Sequence, residues 1–341
     1  MSKLCLSIFL IFTITVNTQN LSELYNEVRS SVVVINILSI ETRKIENDLN
    51  FLAKTKQGSG VLISEDGLIW TAAHVVQSAE IVQVEFLDGE VYEARVLSSN
   101  LQADVALIKI NGEFESKNKK VVKIGNSDMQ NIGDDIFVIG APFGIKQSLS
   151  KGIISGKHCP ETSNNSFINV EFIQTDAAIN HGNSGGPMFN MKGEVIGITS
   201  RIYSESGSFN GLAFAISSNT AKKILMDEPN VWSGMNYILV NGVIAKALNI
   251  PQESGLLVLN LSSKGTASKI GLRGGFIEAT IDGIPLLIGG DIILDVAGVS
   301  FSEPNFQNLI IKKMEAFKKG DNILMTILRQ GKIITIQYNK E

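Results

Sequence analysis

The stretch Asn180-His181-Gly182-Asn183-Ser184-Gly185-Gly186-Pro187 places one serine among three glycines. Glycine permits a tight turn and leaves backbone N–H groups uncovered, as a negatively charged oxygen formed during attack on a carbonyl requires. Ser184 is therefore the candidate nucleophile, and the N–H groups of Gly182 and Ser184 are the candidate donors to that oxygen. Ordinary β-turns share this composition, so the interpretation depends on partner residues elsewhere in the chain.

A serine hydroxyl becomes a good nucleophile when a base accepts its proton and a carboxylate orients that base. Of the three histidines, His74 has the most suitable context, because it follows an apolar stretch that ends in small residues. Asp104 stands directly before the apolar run 105–110, where a buried carboxylate without a partner would be costly. We predict that His74 is the base and Asp104 the orienting acid.

The order His74, Asp104, Ser184 along the chain distinguishes between protease folds. Residues 182–186 also fit the G-x-S-x-G pattern of α/β-hydrolases, but the histidine of those enzymes follows the serine, and no histidine follows Ser184. A subtilisin-like order would need an acid before His74. Acids occur there, but the alternating helices of an α/β fold are missing from the pattern. The order is that of chymotrypsin.

Three motifs in this order resemble the trypsin-like HtrA (Deg) serine proteases. The resemblance implies a serine endopeptidase of protein quality control that cleaves unfolded or misfolded proteins, without a metal or an organic cofactor, and assembles as a homo-oligomer, often a trimer. It also implies a mainly β protein, with a chymotrypsin-like double β-barrel protease domain and a C-terminal PDZ domain. The motifs are Thr71-Ala72-Ala73-His74, Asp104-Val105-Ala106-Leu107 and Gly182 to Pro187, and the flanking segments 174–180 and 211–216 also match.

Length and composition are consistent with two domains of ordinary size. The chain has 341 residues, of which 44% are apolar and 19% charged, enough for substantial cores. Its 30 basic and 34 acidic residues leave a net charge of −4. Since no basic excess is present, a nucleic-acid partner is not expected.

Residues 1–20 have the pattern of a signal peptide, with Lys3, an apolar run over 4–16 and a polar end. We expect an exported protein that is located in the periplasm, with an extracellular location as the alternative. A membrane-anchored form would result if the leader stays uncleaved. Removal of the leader leaves Cys159 as the only cysteine, so stability would rest on the core and not on a disulfide within the chain.

Between residues 31 and 217 the apolar runs are short, rich in Val and Ile, and separated by Gly, Asp and Asn. This pattern predicts antiparallel strands, such as 32–40, 60–64 and 105–110. We expect residues 21–217 to contain a short helix over 21–29 and then two barrels. His74 and Asp104 would lie on the first barrel and Ser184 on the second. A linker helix is expected within 218–233.

The residues before the serine suggest the substrate preference. Ala177-Ala178-Ile179 carries no acid, so we predict a small or medium aliphatic residue before the scissile bond. His181 is expected to be an exposed loop residue, with a second titrating group near the oxyanion as the alternative. The alternative for each predicted pocket residue is a structural position in the barrel core. The pocket would use Ile179, Leu212 and Ala213, and Ile198, Thr199 and Ser200 would pair with the substrate as an added strand.

Residues 234–341 resemble the circularly permuted PDZ domain of HtrA proteins. Tyr237, Ile238, Leu239 and Val240 correspond to the carboxylate-binding loop, which implies binding of peptide chain ends. Leu239 stands where the family usually has glycine, and 276–288 is an insertion. A structural or assembly role is the alternative to peptide binding. Helices are predicted at 266–272 and 304–317, and a hairpin at 323–338 that turns at Gln330-Gly331.

Two other functions agree with the same motifs. One is a holdase-type binding protein on a protease scaffold, which would arise if an activation loop never becomes ordered. The other is a membrane-anchored sensor protease that cuts one client when its PDZ domain binds a signal peptide end. Residues 203–210, rich in Ser and Gly, are either a mobile activation loop or a plain connection.

Overall fold

In a computed structural model, the chain forms two closed β-barrels followed by an open sheet. The predicted signal peptide, His181 and nearly all of the loop 203–210 lie outside the described residues. The structure describes residues 20–46, 48–141, 147–159, 170–180, 182–202, 210–228 and 231–340.

Helix α1 (Leu21–Val28) precedes the barrels, as the sequence predicts. The side chain of Asn20 accepts a hydrogen bond from the N–H of Ser22 and so caps the helix. Leu24 and Val28 are buried against the core between the barrels. The helix therefore covers one end of the apolar interface.

The first barrel consists of six antiparallel strands in the order β1-β2-β3-β6-β5-β4. Its interior contains Ile35, Ile69 and Ile108, which are fully buried. The four-residue helix α2 (Ala73–Val76) follows β3 directly. The strands are β1 (Val32–Ile45), β2 (Asp48–Leu62), β3 (Leu68–Thr71), β4 (Ile81–Glu85), β5 (Val91–Asn100) and β6 (Val105–Ile110).

Strands β1 and β2 are much longer than predicted. The apolar runs indicated strands over 32–40 and 60–64, but the two strands continue as a hairpin through 41–59. Within the described part of the chain, residues 48–57 pair with β1 alone, because β2 meets β3 at 60–62. Most of this outer segment is exposed, including Phe51 at 75%. A strand exposed on both faces has no alternating apolar pattern, so the sequence did not indicate it.

The second barrel also has six antiparallel strands, in the order β10-β11-β12-β9-β8-β7. Strand β8 was not predicted, because its apolar residues are interrupted by Ser, Lys and Gly. The strands are β7 (Asp135–Gly140), β8 (Ser148–His158), β9 (Phe172–Thr175), β10 (Pro187–Asn190), β11 (Val195–Ile202) and β12 (Ala213–Ser217).

One apolar cluster joins the two barrels. It contains Trp70 of the first barrel and the stacked rings of Phe137 and Phe189 of the second, whose centroids are 5.1 Å apart. Helix α3 (Ser218–Lys222) and the π-helical turn Lys223–Asp227 add Ile224 and Leu225 to the cluster, where a linker helix was predicted. Burial of this interface fixes the two barrels relative to each other and thereby aligns the residues along their cleft.

The third sheet has the path β13-β14-β17-β19-β20, with β18 beside β17. Its hairpin turns at Gln330-Gly331 as predicted, and α5 and α6 lie in the predicted helical segments. The elements are β13 (Met235–Asn241), α4 (Gly242–Ala247), β14 (Ser254–Leu261), α5 (Thr266–Lys269), β15 (Ile277–Ile281), β16 (Ile284–Ile288), β17 (Ile292–Val296), β18 (Val299–Ser300), α6 (Phe306–Ala316), β19 (Asn322–Arg329) and β20 (Lys332–Asn339).

Two parts of this unit differ from the prediction or extend it. Residues 237–240, predicted as a loop, lie within β13 and pair with β14, Tyr237 opposite Val258. Buried and exposed residues alternate along this segment, and it forms a strand beside β14 although it resembles a loop motif. The insertion 276–288 contains a separate hairpin, β15–β16. The N–H of Lys44 in β1 donates to the carbonyl oxygen of Phe276 at 2.7 Å, so the insertion contacts the first barrel.

Candidate active site

His74 and Asp104 meet on the first barrel. His74 lies on α2, and Asp104 ends the turn between β5 and β6. Both carboxylate oxygens lie 2.9 Å from Nδ1 of His74, and the backbone N–H of His74 donates to Oδ1 at 3.0 Å. A carboxylate only accepts hydrogen bonds, so Nδ1 carries the proton and Nε2 is left to act as a base. The His74 side chain is 48% exposed and that of Asp104 is 12% exposed.

The turn that holds Asp104 is fixed by its own residues. Asp104 has φ +55°, in the left-handed region that aspartate tolerates better than most side chains. The side chain of Asn100 accepts a hydrogen bond from the N–H of Ala103 at 2.8 Å and closes the turn. This geometry directs the carboxylate inward toward His74.

Ser200 connects the acid to the candidate nucleophile. Its hydroxyl donates to Oδ2 of Asp104 at 2.5 Å, while its carbonyl oxygen accepts from the hydroxyl of Ser184 at 3.2 Å. Within the described residues, the Ser184 hydroxyl makes no hydrogen bond to His74. The structure thus joins His74 to Asp104 directly and places Ser184 next to them through Ser200. The sequence suggested Ser200 as a substrate contact, and its bond to Asp104 had no sequence signal.

The glycine-rich turn docks tightly on the first barrel through Ser59. The N–H of Ser59 donates to the carbonyl oxygen of Ser184 at 2.8 Å, and its hydroxyl donates to that of Gly182 at 2.7 Å. Neither the N–H of Gly182 nor that of Ser184 donates to another described residue. These two donors are therefore free in the described part of the site, as the sequence hypothesis of an oxyanion hole requires.

Gly185 cannot carry a side chain. It has φ +84°, and an added Cβ would lie 2.3 Å from the carbonyl oxygen of Ser59 and 2.7 Å from the backbone nitrogen of Ala72. Its own N–H donates to the carbonyl oxygen of Thr199 at 2.7 Å. The residue after the candidate nucleophile thus lies against the segment that leads to His74.

We expect Gly185→Ala to lower the free energy of unfolding by about 2 to 5 kcal/mol, because backbone atoms must shift to admit the methyl group and the left-handed conformation adds strain. Gly89 is the matched control, since its φ is +86° and an added Cβ there meets no atom within 4 Å. Gly89→Ala carries only the left-handed strain, about 1 to 2 kcal/mol. Urea unfolding of both variants measures the difference, and equal losses would contradict the tight docking of this turn.

The pKa of Asp104 is set by opposing influences. Burial raises the pKa of its carboxyl, but the hydrogen bond and charge interaction with His74 and the Ser200 hydroxyl lower it more, with a net result below the usual 3.8. The group is therefore ionised throughout the neutral range and remains an acceptor for the Nδ1 proton of His74.

This lowered pKa predicts a pH dependence of stability. A carboxyl whose pKa is depressed in the folded state stabilises the fold above its unfolded pKa, here near 3.8, and loses that contribution as the pH falls through the folded value. We expect the stability advantage of the unmodified protein over Asp104→Asn to shrink as the pH falls from 6 to below 3.8. Urea unfolding at several pH values measures it, and an advantage that grows with acidity would be inconsistent with the assigned contacts.

The predicted pocket residues lie in the second barrel. Ile179 and Ala213 are buried and Leu212 is partly exposed. This burial agrees with a pocket wall and with barrel core alike, so the pocket stays a prediction.

The predicted strand addition along 198–200 needs correction at two positions. Ile198 pairs with both β10 and β12, and the N–H and carbonyl of Thr199 are bonded to Gly186 and Gly185. Their backbone has no free groups for a substrate strand. At Ser200 a register shift interrupts the pairing with β12, so Ser200 alone keeps this predicted role.

The predicted carboxylate-binding residues line the end of the third sheet. Tyr237 and Leu239 are 38% and 40% exposed, Ile238 is partly buried, and Val240 is fully buried. Strand β13 pairs with β14 on one side, and no other described strand pairs with its outer edge. The edge is therefore open to an added strand, while peptide binding stays a prediction.

Comparisons with known proteins agree with this geometry. A family model described as a trypsin-like peptidase domain matches residues 58–198, which include His74, Asp104 and Ser184. A "probable periplasmic serine endoprotease DegP-like" of Pseudomonas putida (strain GB-1) is 36% identical over 281 residues, covering 81% of this chain and 54% of that protein. The protein of the same name from Pseudomonas fulva (strain 12-X) is 39% identical over 241 residues, covering 69% of this chain and 49% of that protein. These findings support an HtrA (Deg) family protease.

Two solved HtrA-type structures are similar to the chain over most of its length. The HtrA-type protease AlgW with a decapeptide is 25% identical, with a TM-score of 0.52, and covers 93% of this chain and 97% of its own. AlgW with a tripeptide is 26% identical, with the same TM-score, and the match covers 93% of this chain and 95% of the AlgW chain. The chain spans about half the length of the curated relatives it matches. Among its described residues, no helix is long and apolar enough to cross a membrane.

Proposed function

We propose that this HtrA-family chain is an exported serine endopeptidase in which Ser184, His74 and Asp104 form the catalytic triad. The arrangement at Asp104 carries the proposal, because its carboxylate holds Nδ1 of His74 at 2.9 Å and is bonded to Ser200, whose carbonyl accepts from Ser184. That arrangement leaves Nε2 of His74 available as the base, and the Ser184 hydroxyl would turn from the Ser200 carbonyl toward it for the reaction. The periplasmic names of the relatives support export to that compartment.

The proposed reaction proceeds in two halves. Nε2 of His74 accepts the Ser184 proton as Oγ attacks the carbonyl carbon of a peptide bond, and Asp104 stabilises the imidazolium. The N–H groups of Gly182 and Ser184 donate to the oxyanion, where each such donor contributes about 3 to 4 kcal/mol. His74 then protonates the departing amine. A water molecule, deprotonated by His74, releases the acyl group from Ser184.

The substrates and the accessory unit follow from the same proposal. Unfolded or misfolded proteins are the substrate class, with a small aliphatic residue before the cleaved bond in a pocket that Ile179, Leu212 and Ala213 line. Residues 21–217 are the protease domain, 218–233 the linker, and 234–341 a PDZ domain that binds peptides at β13. We also propose assembly as a homo-oligomer, such as a trimer, and a leader over residues 1–20.

Covalent labelling by a fluorophosphonate probe tests this function. We expect the intact protein to be labelled and to digest casein, with both signals lost in Ser184→Ala and retained in the surface control Ser116→Ala. The measurement is repeated with an unfolded substrate present, since the Ser184 hydroxyl is bonded to Ser200 in the structure. Label that persists in Ser184→Ala, or an intact protein that neither labels nor digests casein in either condition, would exclude the proposal.

A further inference from the structure

Gln77 is a buried glutamine whose polar side-chain atoms are all bonded. It ends helix α2 and is 2% exposed. Its Nε2 donates to Oγ of Ser233 at 3.1 Å and to the carbonyl oxygen of Met235 at 3.0 Å. Its Oε1 accepts from the hydroxyl of Ser99 at 2.8 Å, and its carbonyl oxygen accepts from Nε1 of Trp232 at 3.0 Å. One residue thus joins α2, strand β5 and the start of the third sheet.

Gln77 and one of its partners, Ser99, lie close to the candidate catalytic residues in the chain. Helix α2 carries His74, three positions before Gln77. Ser99 of β5 precedes Asn100, whose side chain closes the turn that ends at Asp104. Gln77 therefore contacts both the segment that holds the base and the strand that leads to the acid.

Helix α2 is held by contacts with its surroundings, because Ala73, Val75 and Val76 are buried in the first barrel and His74 is bonded to Asp104. The helix has only four residues, Ala73–Val76, and a helix this short has almost no internal hydrogen bonds. Its position depends on the packing of Val75 and Val76 and on the contacts at its end. In a site where Nδ1 of His74 and Asp104 are 2.9 Å apart, a small displacement of α2 changes the direction of Nε2.

We propose that Gln77 is a positioning residue for the His74–Asp104 pair, and that through its bond to Met235 the third sheet takes part in aligning the catalytic base. This inference rests on the proposed function. Gln77 touches neither substrate nor the reacting atoms, so its effect reaches the reaction through α2 and β5. Loss of its amide donor leaves the buried carbonyl of Met235 without that partner, which favours a shifted arrangement of the contact.

Other contacts of the third sheet lie further along the same segment. Asn236 Nδ2 donates to the Ser78 hydroxyl at 3.0 Å. The N–H and hydroxyl of Ser263 each donate to Glu80 at 2.6 Å on the exposed surface. These bonds hold the unit in place without contacting α2 or β5. Ser263 therefore provides a control that weakens the same interface and leaves Gln77 intact.

Three variants separate the two connections of Gln77. Gln77→Glu keeps an acceptor for Ser99 but replaces the donor to Met235 with a carboxylate oxygen, so it breaks the bond to Met235 and leaves the backbone bond to Trp232 in place. Ser99→Ala removes the connection to β5. Ser263→Ala is the matched control. We expect Gln77→Glu to lower kcat on a peptide substrate by roughly 10- to 100-fold with KM nearly unchanged, Ser99→Ala to lower it less, and Ser263→Ala to leave it within about twofold.

The experiment uses the full chain and two readouts. Besides kcat and KM, the NMR signal of the hydrogen-bonded Nδ1 proton of His74 is recorded, since it reports on the bond to Asp104 without any turnover. A displaced signal in Gln77→Glu, together with an unshifted signal in Ser263→Ala, supports the proposal. Thermal unfolding of each variant is measured in parallel.

Two results would overturn the inference. One is a Gln77→Glu variant that unfolds at lower temperature but keeps kcat and the Nδ1 signal, because Gln77 would then only stabilise the interface. The other is an equal loss of kcat in Gln77→Glu and Ser263→Ala. Failure of the proposed function gives a different result from failure of this inference, because the unmodified protein would then neither cleave casein nor take up the fluorophosphonate. The Nδ1 signal would still decide the role of Gln77.

Discussion

Replacement of His74 by alanine is expected to lower kcat on casein or a peptide substrate by about 10⁶-fold, because Ser184 loses the base that accepts its proton. The fold should survive this change. The His74 ring is 48% exposed, and Asp104 keeps the hydroxyl of Ser200 and the backbone N–H of residue 74 as donors. Fluorophosphonate labelling of Ser184 should slow in parallel, which ties the loss to the nucleophile and not to substrate binding.

His158→Ala is the matched control for this prediction. His158 is also an exposed histidine, and its ring nitrogen is bonded to Gln174 on the neighbouring strand, outside the site. We expect full activity in this variant. A His74→Ala protein that retains more than about one hundredth of the original kcat would rule out His74 as the base.

Replacement of Asp104 by asparagine should lower kcat by about 10⁴-fold with little change in KM. Asparagine is nearly the same size and also tolerates φ +55°, so the turn is preserved. Its single carbonyl oxygen cannot replace both carboxylate oxygens, which accept from His74 and Ser200 together. If the amide NH₂ faces Nδ1, His74 is held with its proton on Nε2, which cannot then act as a base.

The surface variant Asp135→Asn serves as its control, since Asp135 is exposed at the start of β7 and pairs with Lys151 at 3.0 Å. Steady-state kinetics at neutral pH, combined with urea unfolding of both variants, separates catalysis from stability. An Asp104→Asn protein whose kcat falls less than tenfold would exclude the proposed role of the carboxylate.

The two barrels and the order of the candidate residues could be predicted from local patterns. Short runs of Val and Ile between turn residues indicated most strands, and the glycines around Ser184 indicated a tight turn. The pairing of His74 with Asp104 followed from chemistry, since a carboxylate beside a buried strand requires a partner.

The supporting contacts could not be predicted, because they join segments far apart in the sequence. Ser200 and Asp104 are 96 positions apart, and Gln77 and Met235 are 158 positions apart. Serine and glutamine occur throughout the chain, so only their placement in three dimensions distinguishes these two. The long hairpin was missed for another reason, as its exposed strands carry no alternation of apolar and polar residues.

Among the described strands, only β1 pairs with the outer part of β2, residues 48–57. In an antiparallel pair, successive amides point alternately toward the partner and away from it. Half of the amide protons in this ribbon therefore face water and should be replaced by deuterium within seconds, whereas their immediate neighbours are retained far longer. This alternation of fast and slow deuterium uptake along the segment would distinguish a paired two-stranded ribbon from an unpaired loop.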